Sequence, residues 1–161
     1  MRDYIYDIET FPNVFTLAVE HAEAPIQWMF EISEWRNDSR DICLFLDYLK
    51  KENARMVGFN NLGFDYPVLH TLYRMGKADA SVLYDKAQAI ISSQNKDFGK
   101  WDHLVKPSDR VVPQIDLFKI HHFDNKARTT SLKSLEFNMR SATIEDLPFK
   151  VGTRLTQEQL N

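Results

Sequence analysis

Tyr4-Ile5-Tyr6-Asp7-Ile8-Glu9-Thr10, close to the start of the chain, is the stretch on which the fold turns. It begins as an aromatic and β-branched run suited to a strand and then carries two acids one residue apart. Residues i and i+2 of a strand share a face, so Asp7 and Glu9 project together while Tyr6 and Ile8 point the other way. Two like charges on one face of a core strand repel and lose hydration unless a positive charge, such as a divalent metal ion, neutralises them. Taken alone, the heptad is also read as a strand that surfaces at its end, where both acids meet water.

Working outward, Phe11-Pro12-Asn13 reads as a turn, followed by strands over Val14 to Val19 and Ile26 to Phe30. Three short strands in succession predict an antiparallel meander. Asn37-Asp38-Ser39 offers N-caps for a helix over Arg40 to Glu52, with Ile42, Phe45, Leu46 and Leu49 on one face. Ala54 to Phe59 is a compact apolar run, expected as a buried strand parallel to the first. The order strand, strand, strand, helix, strand defines an α/β fold with a sheet of mixed direction.

Gly58 to Pro67 then reads as a strand end, a polar turn and an acid, Asp65, opening a helix to Met75; by itself Asp65 is a plain N-cap. A second helix is expected over Ala80 to Ile91. Ser92 to Pro113 is a long irregular loop with Phe98 and Trp101, which either stack on bases or dock the loop on the body. Gln114 to Ile120 reads as a strand-to-helix corner. Thr130 or Ser131 caps a helix over Leu132 to Met139, Glu145 to Gly152 is a loop, and Thr156 caps a short final helix.

The chain of 161 residues suits a single domain, able to bury roughly 70% of its unfolded surface. One cysteine, Cys43, excludes an internal disulfide and fits a reducing compartment, with the thiol expected in the core. There is neither an apolar run of membrane-spanning length nor a signal-peptide core, so the cytoplasm is expected. The net charge of −3 argues against a protein that coats nucleic acid non-specifically, but not against local grip. The segment His121 to Lys133, with Lys126, Arg128 and Lys133, is the most basic of the chain.

In an open α/β sheet, sites lie beyond the carboxyl ends of the strands. Asp7, Glu9 and Asp65 are expected to meet there as a hard, oxygen-rich set suited to Mg²⁺ or Mn²⁺. Two such ions, roughly 3.5–4 Å apart, generate a hydroxide and stabilise the leaving oxygen in phosphodiester hydrolysis. The five histidines form no H-E-x-x-H motif and no paired cysteines offer a zinc site.

Asp7-Ile8-Glu9-Thr10 resembles the first motif, D-x-E-T, of the DEDD 3′–5′ exonucleases, the proofreading domains with the ribonuclease H-like fold. Asn61-Leu62-Gly63-Phe64-Asp65 resembles their second motif in the form used by family B DNA polymerases; Asn60 fits the longer spacing and Asn61 the shorter. Gln114-Ile115-Asp116-Leu117-Phe118 and Thr130 to Glu136 are similar to the linking segment in those polymerases and in phage relatives. The resemblance implies a host-cytoplasm location if the chain is of phage origin. It implies that Asp7 bridges two Mg²⁺ or Mn²⁺ ions, that Glu9 binds the one activating water, and that Asp65 holds the second. Thr10 and Phe11 would pack on the 3′-terminal nucleotide of single-stranded DNA, and Asn60 or Asn61 would touch the strand. Phe64 is a further candidate contact to nucleic acid; Lys126, Arg128 and Lys133 of the basic segment read either as phosphate contacts or as a solvated helix entry, and Asp116 is expected in a capping or structural role rather than as a ligand.

The family's third motif, Y-x(3)-D or H-x(4)-D, is missing: after Asp116 no Tyr or His is followed by Asp at that spacing. The chain is thus expected to be either a piece of a longer exonuclease or polymerase or a natural short form. A lost metal ligand should cost more than the roughly 10–100-fold of a change behind the ligands, so weak or absent activity is expected. The alternative is a non-catalytic module that binds a nucleic-acid end or a DNA polymerase partner. A ribonuclease or a Holliday-junction type nuclease on the same fold also remains open.

Overall fold

A computed structural model describes residues 1–94, 96, 99, 101–121, 149, 150 and 152–161. The described strands are β1 (Asp3–Phe11), β2 (Val14–His21), β3 (Gln27–Ser33), β4 (Arg55–Gly58) and β5 (Gln114–Asp116). They form one sheet in the order β3-β2-β1-β4-β5, so the acid-bearing strand is central. The first three strands are an antiparallel meander; β4 runs parallel to β1, and β5 parallel to β4. The mixed α/β sheet expected from the order of elements is therefore present, with β5 as a further parallel strand.

Alternation divides β1 as its sequence requires. Tyr4, Tyr6 and Ile8 are buried, whereas Ile5 and Asp7 are exposed and Glu9 is half-buried. Phe15, Leu17 and Val19 of β2, with Ile32 of β3 and Met56 of β4, join the buried set. Three helices cover that face: α1 (Ser39–Lys51), α2 (Asp65–Met75) and α3 (Ala80–Gln94). Each turns a periodic apolar stripe inward: Ile42, Phe45, Leu46 and Leu49 from α1, Val68, Leu69 and Leu72 from α2, and Leu83, Ala87 and Ile90 from α3. Burying such side chains stabilises the fold by roughly 1.5–3 kcal/mol apiece. The opposite sheet face carries Ile5, Asp7 and Glu9.

β4 pairs only with the beginning of β1, in the register Asp3–Arg55, Tyr4–Met56 and Ile5–Val57. Beyond Ile5 the backbone groups of β1 on that side have no strand partner among the described residues, and the chain after Gly58 turns away to begin α2 at Asp65. This early stop makes room for a site. Gly58 is required at the turn because a Cβ there would lie 2.8 Å from Cβ of Asn61, which folds back over it. Gly76, at φ +72°, closes α2 in the left-handed conformation.

Three expectations are corrected. Asp65 is not a plain N-cap: it is the first residue of α2, and its carboxylate reaches across to β1. Cys43 is not in the core but half-buried on α1, its thiol 3.8 Å from the Gly76 carbonyl. The long loop is shorter than its composition implies, since α3 runs on to Gln94 and Pro107–Asp109 form a 3-10 turn. After β5 comes α4 (Leu117–His121), as the strand-to-helix corner requires. The last described helix is α5 (Gln157–Leu160), opened by Thr156 in a capping box with Gln159. The expected helix over Leu132 to Met139, and most of the loop from Glu145 to Gly152, lie outside the described residues.

Candidate functional site

The amide of Ile8 faces the side of β1 that β4 leaves unpaired, and it donates to Oδ1 of Asp65 at 3.3 Å. A buried N–H without a partner is costly, so this bond anchors Asp65 to the strand that carries the other two acids. The carboxyl groups of Asp65 and Asp7 are in hydrogen-bond contact with one another. Two carboxylates at that range cannot both be ionised without a counter-charge. Asp65 is only 7% exposed, and burial, followed by the charge of Asp7, pushes its carboxyl up to about 7. Burial also raises Asp7, against the hydrogen bonds from the Asp65 carboxyl and the Ile8 backbone, which lower it. Glu9 is pushed up to about 7, again by burial first and then by Asp7.

Asp7, Glu9 and Asp65 thus form one electrostatically linked group at the end of β1. All three donors are hard carboxylate oxygens, and the Asp7–Asp65 contact holds either a shared proton or a cation. That chemistry fits Mg²⁺ or Mn²⁺. Among the described residues, however, no three His, Cys, Asp or Glu side chains are arranged to hold a metal ion together. The fit is that of an Asp7–Asp65 pair with Glu9 alongside, not of a closed cage.

Asp116, at the end of β5, shapes the loop that delivers Asp65. Its carboxylate accepts the backbone N–H groups of Asn60 at 2.8 Å, Leu62 at 3.2 Å and Phe118 at 3.0 Å. This is the capping role expected of it. Asn60 takes a left-handed backbone, φ 56°, which asparagine tolerates better than most residues. Asn61 is fully buried, its side chain packed against the Gly58 and Ile115 carbonyls at 3.2 and 3.3 Å and the Gln114 side chain at 3.0 Å. Of the two asparagines, Asn61 is thus a latch between β4 and β5, and Asn60 is the more accessible.

Thr10 is half-buried beside Glu9, and Phe11 is buried with Val14 and Leu155 in a small second cluster. Phe64 packs partly buried against the main core. Trp101 is 71% exposed. Phe98, Lys126, Arg128 and Lys133 lie outside the described residues.

Reading from sequence missed two features. Tyr6, buried behind the acids, donates to Gln114 Oε1 at 2.8 Å, and its phenol is pushed up by burial and by the charge of Asp65. A groove of about 570 Å³ also runs over the acid-bearing sheet face, floored by Ile5, Ala18, Val57 and Phe59 and bounded by Asp7 and Leu117. Period-two alternation places Ile5 on that face but cannot show that the neighbouring strands make it concave. Comparisons with protein-family models, with curated proteins and with solved structures found no match.

Proposed function

We propose that this chain is a metal-dependent 3′–5′ exonuclease domain of ribonuclease H-like type, acting on single-stranded DNA 3′ ends. The observation that carries the reading is the meeting of Asp65 with Asp7 across 57 intervening positions, at a strand end with Glu9 beside them. Asp7 and Asp65 would hold a divalent cation between them, and Glu9 would face the same charge from two residues along the strand. When bound, Mg²⁺ or Mn²⁺ supplies a hydroxide nucleophile and stabilises the leaving oxygen. The chain's own groups position the acids: Ile8 through its amide, Asp116 through the loop at Asn60 to Leu62, and Tyr6 by closing the site from behind. Burial and the charge of Asp7 push Glu9 up to about 7, and a cation bound beside it would draw it to the ionised form, able to accept a proton from an incoming water. Thr10, Asn60 and the exposed edge of Asp7 are the groups a terminal nucleotide would meet first.

The test is degradation of a 5′-labelled oligonucleotide with Mg²⁺ or Mn²⁺. Stepwise shortening by the wild type, absent from an Asp7→Ala/Glu9→Ala form, is the expected result. Equal hydrolysis by both forms would overturn the assignment. Salt-dependent oligonucleotide binding that survives chelation, with no hydrolysis, would instead make the chain a module that holds a nucleic-acid end for a partner such as a polymerase.

A further inference from the structure

Asp7 and Asp65 sit on separate elements, β1 and the start of α2, so the spacing of their carboxyl groups depends on what ties those elements together. The side chain of Gln114 on β5 reaches both. β4 stands between β1 and β5 and ends in Gly58, whose missing Cβ leaves room for Asn61 to fold over it. Tyr6, the residue before Asp7, donates its hydroxyl hydrogen to Gln114 Oε1 at 2.8 Å. The side-chain amide group of Asn61 lies 3.0 Å from the same oxygen. Nε2 of Gln114 donates to the Val112 carbonyl at 3.0 Å, which keeps Oε1 turned toward Tyr6 and Asn61.

From Asn61 the linkage runs on to α2. The Asn61 carbonyl accepts the backbone N–H of Tyr66 at 2.8 Å, and Tyr66 directly follows Asp65. Gln114 therefore touches the neighbour of Asp7 on one side and, on the other, a residue bonded to the neighbour of Asp65. Asp116, two residues further along β5, grips the same loop at the Asn60 and Leu62 amides; Gln114 adds the link to β1. Tyr6 is 3% exposed and Asn61 is fully buried, so water cannot stand in for a lost partner at either. A buried hydroxyl or amide left unpaired is costly, and the segments carrying it shift to recover a bond. Here those segments carry the acids.

We propose that Gln114 is a positioning residue that sets the spacing of the Asp7 and Asp65 carboxyl groups, by accepting from Tyr6 on one side and holding Asn61 on the other. It touches neither ion nor substrate and acts through those two side chains. The inference deepens the exonuclease reading and rests on it for its consequence, the affinity of the acid pair for a divalent cation.

The experiment compares the full chain with its Gln114→Met, Tyr6→Phe and doubly substituted forms by two measurements. The first is the NMR shift of the Ile8 amide proton with chelator present; this amide is bonded to Asp65 and reports the place of that acid with no ion bound. The second is Mn²⁺ affinity by electron paramagnetic resonance. In Gln114→Met the Ile8 proton should move upfield as its bond to Asp65 lengthens, and Mn²⁺ should bind about tenfold more weakly. Tyr6→Phe removes one of the two contacts and should do the same to a smaller extent, adding nothing on top of Gln114→Met. It also carries the test should Gln114→Met not fold. An Ile8 shift unmoved in folded Gln114→Met, or Mn²⁺ affinity undiminished there, overturns the proposal. So do equal changes in Leu49→Ala, which loosens the α1 layer alone. A moved Ile8 shift with no Mn²⁺ bound by the wild type keeps the positioning role and removes the metal-dependent reading instead, so the two failures are distinct.

Discussion

Asp65 accepts the backbone N–H of Ile8 at 3.3 Å, so the first residue of α2 completes the hydrogen bonding of a strand that β4 does not reach. The same bond brings the Asp65 carboxyl against that of Asp7. Satisfying one orphaned amide and concentrating negative charge are here a single structural act. The consequences are measurable.

The first concerns pH. The Asp65 carboxyl is held at about 7 in the fold, against an ordinary 3.8. The folded state therefore binds a proton more tightly than the unfolded chain. Its stabilising contribution is complete below about pH 3.8 and is lost as the pH rises to about 7. The difference corresponds to about 4 kcal/mol at most, part of it shared with Asp7. Metal-free protein should unfold at lower denaturant concentration at pH 8 than at pH 5. Asp65→Asn should be more stable than wild type at pH 8 and indistinguishable from it near pH 4.

A divalent cation should reverse that loss. If Asp7 and Asp65 hold Mn²⁺, saturating the site a hundredfold above its dissociation constant stabilises the fold by about 2.7 kcal/mol. The rise in Tm should be largest at pH 8 and shrink toward pH 5, where protons compete for the same oxygens. Calorimetry on wild type and Asp7→Asn checks this. An equal rise in both would place the ion elsewhere.

Asp116→Ala should be the most damaging single change outside the apolar core. It leaves the N–H groups of Asn60, Leu62 and Phe118 without their acceptor, at a cost of roughly 3 kcal/mol. Because that loop leads into Asp65, Mn²⁺ affinity should fall as well. Asp116→Asn keeps one acceptor oxygen and should lose about half as much stability in urea unfolding.

Asn13 holds the last described segment to the β1–β2 turn. Its side chain donates to the Leu155 carbonyl at 2.7 Å and accepts the Leu155 N–H at 2.9 Å. Asn13→Ala should lower global stability by only about 1–2 kcal/mol. Hydrogen exchange at Leu155 should nevertheless accelerate strongly, because the effect is local opening of this segment. Unchanged exchange there would show that Phe11, Val14 and Leu155 hold the segment without the clamp.

The sequence by itself determined the order of the elements and the faces of β1. Strict alternation from Tyr4 to Glu9 can only separate Tyr4, Tyr6 and Ile8 from Ile5, Asp7 and Glu9, and the apolar stripes of α1 and α2 can only face one layer. It also marked Asp7 and Glu9 as neighbours, since their proximity is set by the repeat of a single strand. What Asp65 does was decided by tertiary structure. An acid at the start of a helix is locally indistinguishable from a cap, and only the early end of β4 exposes the Ile8 amide that draws it across. The same holds for Asn61, whose burial depends on β5 closing beside β4.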